Sequence, residues 1–140
     1  MTTISLELAK RLYNKGLRIE TEKCWQRDSL RDSWKIIIYK VRGEYHIEYL
    51  LPAYSTDELL AVMPSFEYSS LLWIRKEDRF GRTFYQVEYR EPKDTLLKNE
   101  IRHGEYEFSL SETLGKMCLW LLEHGWRWDN TNKLLVKGEG

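Results

Sequence analysis

Three histidines, two cysteines and a run of cations set among tryptophans are the residues whose types reach beyond packing in this chain. His46, His103 and His124 fall on a predicted strand, a loop and a helix end, and no two stand at the CxxC, HxxxH or HExxH spacings that hold zinc. His46 and Glu48 are two residues apart on one predicted strand face, but two ligands fall short of a metal centre. No metal site is expected, and no other cofactor. Cys118 lies on the apolar stripe of a predicted helix and reads as a small buried hydrophobe rather than a nucleophile. Cys24 and Cys118 allow one disulfide at most, which is not a disulfide-stapled composition. Ser5, Ser55 and Ser109 stand where helices need caps, no GxSxG elbow or glycine-rich phosphate loop occurs, and no carboxylate pair is favoured by its spacing. The sequence therefore offers no catalytic constellation.

Binding is therefore the leading chemistry, with a small enzyme of dispersed active site as a further alternative. Arg18, Lys23, Arg27, Arg31 and Lys35 interleave with Trp25 and Trp34. Such cations pair phosphates and such rings stack bases, so the Arg18–Lys35 stretch suits a nucleic-acid surface. Glu20, Glu22, Asp28 and Asp32 lie among the cations, however, and no known nucleic-acid-binding motif is present. Trp25, Arg27, Arg31, Trp34 and Lys35 are accordingly candidate partner-binding residues, with a protein as the leading partner and nucleic acid as the alternative. Trp128, beside Trp126 and Arg127, is the sixth candidate, because Trp and Arg are favoured hot-spot types. The competing reading is that both tryptophans cover their own domain.

These residues need elements to hold them. Ser5 to Lys15 reads as a first helix, capped by Ser5 and ended by Gly16. Cys24-Trp25-Gln26 is a short strand candidate in the poorly patterned stretch from Gly16 to Ser33. Trp34 to Val41 reads as a strand, Arg42-Gly43-Glu44 as a turn, and the alternating Tyr45 to Leu51 as its hairpin partner. Ser55 and Glu58 form a capping box, with Tyr54 and Leu59 at the staple positions, and Pro64 ends this second helix. Ser70 to Lys76 and Thr83 to Arg90 form a second hairpin across a Glu77–Gly81 connection, and Glu105 to Phe108 is a fifth strand candidate. Ser109 to His124 reads as the longest helix, with a second capping box at Ser109/Glu112. Its Leu110, Leu114, Met117, Cys118, Leu121 and Leu122 form one stripe before the terminating Gly125. Residues 127–140 form either a last strand or a loosely attached tail.

The expected fold is α+β: one antiparallel sheet of four to five strands with three helices, in the order α-β-β-α-β-β-(β)-α, as a single domain over residues 1–140. The 22 basic residues balance 22 acidic ones, which weighs against a strongly basic nucleic-acid binder. The balance hides an asymmetry: ten Lys/Arg between Lys10 and Arg42, and none between Glu44 and Ile74. No apolar stretch approaches the length of a membrane span, and the start lacks a signal-peptide pattern, so a cytoplasmic protein without a membrane partner is expected.

Three segments carry a resemblance. They are Ser5-Leu6-Glu7-Leu8-Ala9-Lys10-Arg11-Leu12 with Lys15-Gly16, Leu51-Pro52-Ala53-Tyr54-Ser55-Thr56-Asp57-Glu58-Leu59-Leu60, and the helix from Leu110 to Gly125. In order and content they resemble a family of small uncharacterised bacteriophage and prophage proteins. That family has no assigned activity to carry over. What the resemblance implies is context: a small phage-borne protein that acts by binding a host or phage protein in the bacterial cytoplasm.

Overall fold

The computed structural model describes residues 3–38, 46–64, 71–90, 104–107 and 109–138. Among them the order is α1 (Leu6–Asn14), β1 (Lys23–Gln26), β2 (Lys35–Ile38), β3 (Leu50–Pro52), α2 (Thr56–Val62), β4 (Leu71–Arg79), β5 (Arg82–Arg90), β6 (Gly104–Glu107), α3 (Leu110–Glu123), β7 (Trp126–Asp129) and β8 (Leu134–Lys137). The class is α+β, and every strand pairing is antiparallel. The strands do not form one sheet of four or five. They form three small sheets, ordered β2-β1-β3, β4-β5-β6 and β7-β8.

Local signals account for the helices. The Ser5 hydroxyl accepts the Leu8 amide at the start of α1, and Gly16 follows its end at a φ of 98° that a side chain would resist. The expected box on α2 is complete: Glu58 N donates to Ser55 Oγ at 3.2 Å, and Ser55 N donates to Glu58 Oε1 at 2.9 Å. The box expected on α3 is half made. Ser109 accepts the Glu112 amide, but the Glu112 carboxylate turns away to bond the backbone N–H and hydroxyl of Ser5. A charge-assisted bond to another helix's orphan donor replaces the local one.

The three helices enclose the core. Leu8 and Leu12 of α1, Leu59 and Val62 of α2, and Leu114, Met117, Cys118 and Leu121 of α3 share one buried cluster with Tyr54, Val87, Trp126 and Leu135. The Tyr54 hydroxyl, buried with its ring, donates to the Leu17 carbonyl at 2.9 Å, so the ring brings no unmet polar group inside. Gly115 lets α1 close onto α3: a Cβ there would stand 2.6 Å from Leu8 Cδ2.

The pairings of the first sheet are where local patterning misleads. The expected partner of β2 was the Tyr45–Leu51 alternation, but β2 pairs with β1, matching Trp25 to Ile36. Residues 39–45, including the expected connection, lie outside the described residues. His46 to Tyr49 is a turn, closed by the Tyr49 and Leu50 amides on the His46 carbonyl at 2.8 and 2.7 Å. The following strand, β3, runs through Pro52 and pairs with β1 instead. Alternation marks a half-buried strand only where a core lies on one side. Here Leu51, Pro52 and Cys24 have that core, while Ile47 and Tyr49 are exposed. Proline is tolerated in β3 because, among the described residues, β3 is an edge strand.

The second hairpin is tighter than its expected five-residue connection. β4 and β5 pair up to Arg79 opposite Arg82, leaving only Phe80 and Gly81 in the turn. The sheet rests on α3 through buried Val87, and Thr113 Oγ1 donates to the Tyr85 carbonyl at 3.3 Å. Of the two alternatives for residues 127–140, the strand is the one observed, over Leu134–Lys137. It completes the β7-β8 hairpin, in which Trp126 and Leu135 enter the core.

Candidate functional site

The six candidate residues separate into two regions. Five lie on or beside the β2-β1-β3 sheet, and Trp128 lies on β7.

Within the first region the aromatics are engaged by the chain itself. Trp25, at the centre of the sheet on β1, is half-buried against the core. Trp34, just before β2, carries the Arg27 guanidinium 4.6 Å and the Lys10 ammonium 5.6 Å from its ring centroid. Arg27 also donates through Nε to the Glu48 carbonyl at 2.7 Å, which ties the Trp34 side of the sheet to the 46–49 turn. Arg18, from the same cationic stretch, stacks on Tyr13 with Cζ 3.7 Å from the ring centroid and bonds the Tyr13 carbonyl. Arg31 and Lys35 are exposed.

The residues that sequence reasoning passed over are the isoleucines of β2. Ile36 is 38% and Ile38 is 76% exposed, on a strand that, among the described residues, pairs with β1 alone. Leu30, Ile47 and Tyr49 are exposed as well, in the loops beside the same sheet. The Ile36-Ile37-Ile38 run reads in sequence as part of a strand. Its β-branched composition says strand, but nothing in a four-residue run says which face is wet.

In the second region Trp128 is half-buried against the core. It lines a cavity of about 360 Å³ together with Ile19, Ala61, Val62, Glu20, Glu58 and Lys133. The Glu58 carboxylate is held in place, with Oε1 on the Ser55 amide and Oε2 on the Glu22 amide, both at 2.9 Å. Trp25 and Trp128 each bury an indole N–H that has no partner among the described residues.

Of the residues considered for metal and nucleophilic chemistry, His124 has a structural duty and both cysteines are buried. His46 and Glu48 lie in the exposed 46–49 turn rather than on a strand face. His103 lies outside the described residues. His124 caps α3: its Nδ1 stands 2.7 Å from the Trp120 carbonyl, and its ring stacks on the Trp120 ring with centroids 4.2 Å apart. Cys24 and Cys118 are both free and buried. Burial pushes the Cys118 thiol up to about 12, and its sulfur lies 3.3 Å from Met63 Sδ, so no thiolate nucleophile forms there near neutral pH. Among the described residues, no three His, Cys, Asp or Glu side chains come together around a point that would hold a metal ion. None of the described helices is long and apolar enough to cross a membrane.

Comparison of the chain with family profiles, with curated proteins and with solved structures finds no match.

Proposed function

We propose that this chain is a non-enzymatic binding protein of phage or prophage origin, which takes a host or phage protein as its partner in the bacterial cytoplasm. The observation that carries the binding part of this reading is the exposed isoleucine pair on β2, a strand that among the described residues pairs with β1 alone; the phage setting rests on the sequence resemblance. An apolar, β-branched edge is a template for another strand, and on β2 only Lys35, at its start, supplies a blunting charge. The fitting partner is an extended segment added alongside β2. Its main chain would supply the hydrogen bonds, and its apolar side chains would lie beside Ile36 and Ile38. Lys35 on the strand and Arg31 in the loop before it favour an acidic segment. A protein partner is also favoured over nucleic acid by the state of the rings. Trp25 is packed against the core, and Trp34 is faced by two cations of its own chain, so neither stands ready to stack a base.

The test is affinity capture from bacterial lysate with the wild-type chain and Ile38→Lys side by side. The expected result is a protein retained by the wild type and lost by the variant, whose thermal unfolding should be unchanged. Recovery of the same protein by both, or of none across conditions, would count against the proposal. Anisotropy titration against single- and double-stranded DNA and RNA at low salt checks the alternative. Binding that weakens on replacing Arg31 and Lys35 by Gln would move the assignment to nucleic acid.

A further inference from the structure

The tip of the β4-β5 hairpin breaks two rules at once. Phe80 and Gly81 are the whole turn, with φ of 52° and 74°. Two positive φ values make a type I′ turn, which favours Asn-Gly, Asp-Gly or Gly-Gly. A phenylalanine in the left-handed region costs on the order of 1–2 kcal/mol. Its ring is also 100% exposed, so no burial within its own chain offsets that cost. A residue that neither suits the turn nor packs on the monomer is placed for something outside it.

The same chain presents a matching recess. The cavity beside Trp128 is lined on its apolar side by Ile19, Ala61 and Val62, and its volume falls in the range of ligand sites, ample for one benzyl side chain. The Trp128 ring offers an aromatic partner. The charges also complement each other. Arg82 directly follows the Phe80-Gly81 turn, and Glu20 and Glu58 stand at the cavity, partly offset by Lys133.

We propose that Phe80 of one copy of this chain inserts into the Trp128 cavity of a second copy. Tip and cavity are different patches, so the contact is head-to-tail, and repetition closes a ring or extends a chain of copies. One inserted phenylalanine buries about 150–250 Å². The association is therefore weak and concentration-dependent, in keeping with a contact far smaller than a standard interface.

Sedimentation velocity from micromolar to near-millimolar concentration tests it. Phe80→Asn creates the favoured Asn-Gly turn, so this variant folds at least as well as the wild type while losing the wedge. Ala61→Arg places a bulky cation in the cavity from an exposed position of α2. The wild type should sediment faster as concentration rises, and each variant alone should stay monomeric. An equimolar mixture of the two retains one intact cavity and one intact Phe80, so it should form a dimer that grows no further. A wild type that stays monomeric throughout, a Phe80→Asn variant that associates like the wild type, or a mixture that fails to dimerise would each overturn the proposal. Ile38→Lys should associate like the wild type; association lost in that variant and retained in Phe80→Asn would assign it to β2 instead.

Discussion

The carboxylate of Glu112, in the first turn of α3, bonds both the backbone N–H and the hydroxyl of Ser5, the N-cap of α1, 107 residues away in sequence. One side chain thus fastens two helix N-termini together. The donor it satisfies is one that α1 cannot satisfy for itself. Ser111 adds a second tie nearby, its hydroxyl donating to the Thr3 carbonyl at 3.1 Å.

Glu112→Ala should therefore destabilise the fold by about 1–2 kcal/mol, in the range of a lost cap or charge-assisted bond. Glu112→Gln, which keeps one acceptor, should cost less. Urea unfolding of the three proteins checks the order. Equal loss in Ala and Gln would show that charge, not the bond to Ser5, is what matters.

Gly115 faces α1 where a Cβ would meet Leu8 Cδ2 at 2.6 Å and Ile4 Cγ2 at 3.2 Å. Gly115→Val should cost about 1–3 kcal/mol by overpacking that contact. Gly115→Ala gains up to about 1 kcal/mol in helix propensity, which the same clash opposes. Pairing Gly115→Val with Leu8→Ala should recover part of the loss. A double variant showing simple additivity would place the clash elsewhere.

Cys118 should be silent to thiol reagents in the native state near neutral pH, because burial holds it protonated up to about 12. Cys24 is buried as well, so a chromogenic disulfide reagent should find almost no thiol in buffer and both in strong denaturant. The raised value also has a pH consequence. Below the ordinary thiol value of 9.0 both states are protonated and nothing is lost. Between 9.0 and about 12 the unfolded thiol ionises while the folded one does not, so stability falls as pH rises through that window. Cys118→Ala should lower stability at pH 7 yet flatten this alkaline decline. An unchanged slope would contradict the assignment.

Asp129 organises the β7-β8 turn. Its carboxylate accepts the Asn132 side-chain amide at 2.7 Å, the Thr131 amide at 3.0 Å and the Asn132 backbone amide at 3.3 Å. The Asn132 side chain first, then the backbone bonds, hold its acidity below the ordinary carboxylate value. The stability it contributes is present above the unfolded value and is lost as pH falls through the lowered folded value. Asp129→Ala should loosen the hairpin, speeding amide exchange across Trp126 to Lys137, while α3 keeps its protection. Equal acceleration throughout would show that the hairpin does not open by itself.

The elements read correctly in sequence are those whose signals are local. Ser5, Ser55 and Ser109 each bond an amide three residues on, and the stripe from Leu114 to Leu121 faces the core. The β4-β5 hairpin was legible too, because a short turn joins its strands, but the pairing within the first sheet was not. β1 is a four-residue strand in a poorly patterned stretch, yet it is the centre of its sheet, because Cys24 on it and Leu51 on β3 both reach the core. The candidate site was legible only in part. Trp25, Arg27 and Trp34 were recognised as a group, but whether they face a partner or one another depends on what surrounds them.

Caps, helical stripes, terminating glycines and an α+β class follow from residues within a turn or two of each other, where backbone geometry sets the contacts. The choice of β1 over the Tyr45–Leu51 alternation as partner of β2, and the turn of Glu112 from its own helix to Ser5, were decided only in the tertiary structure. So was the exposure of Ile36, Ile38 and Phe80. Each depends on which distant surface competes for the same group, and burial and hydrogen bonding across the fold outweigh local preferences of well under 1 kcal/mol per residue.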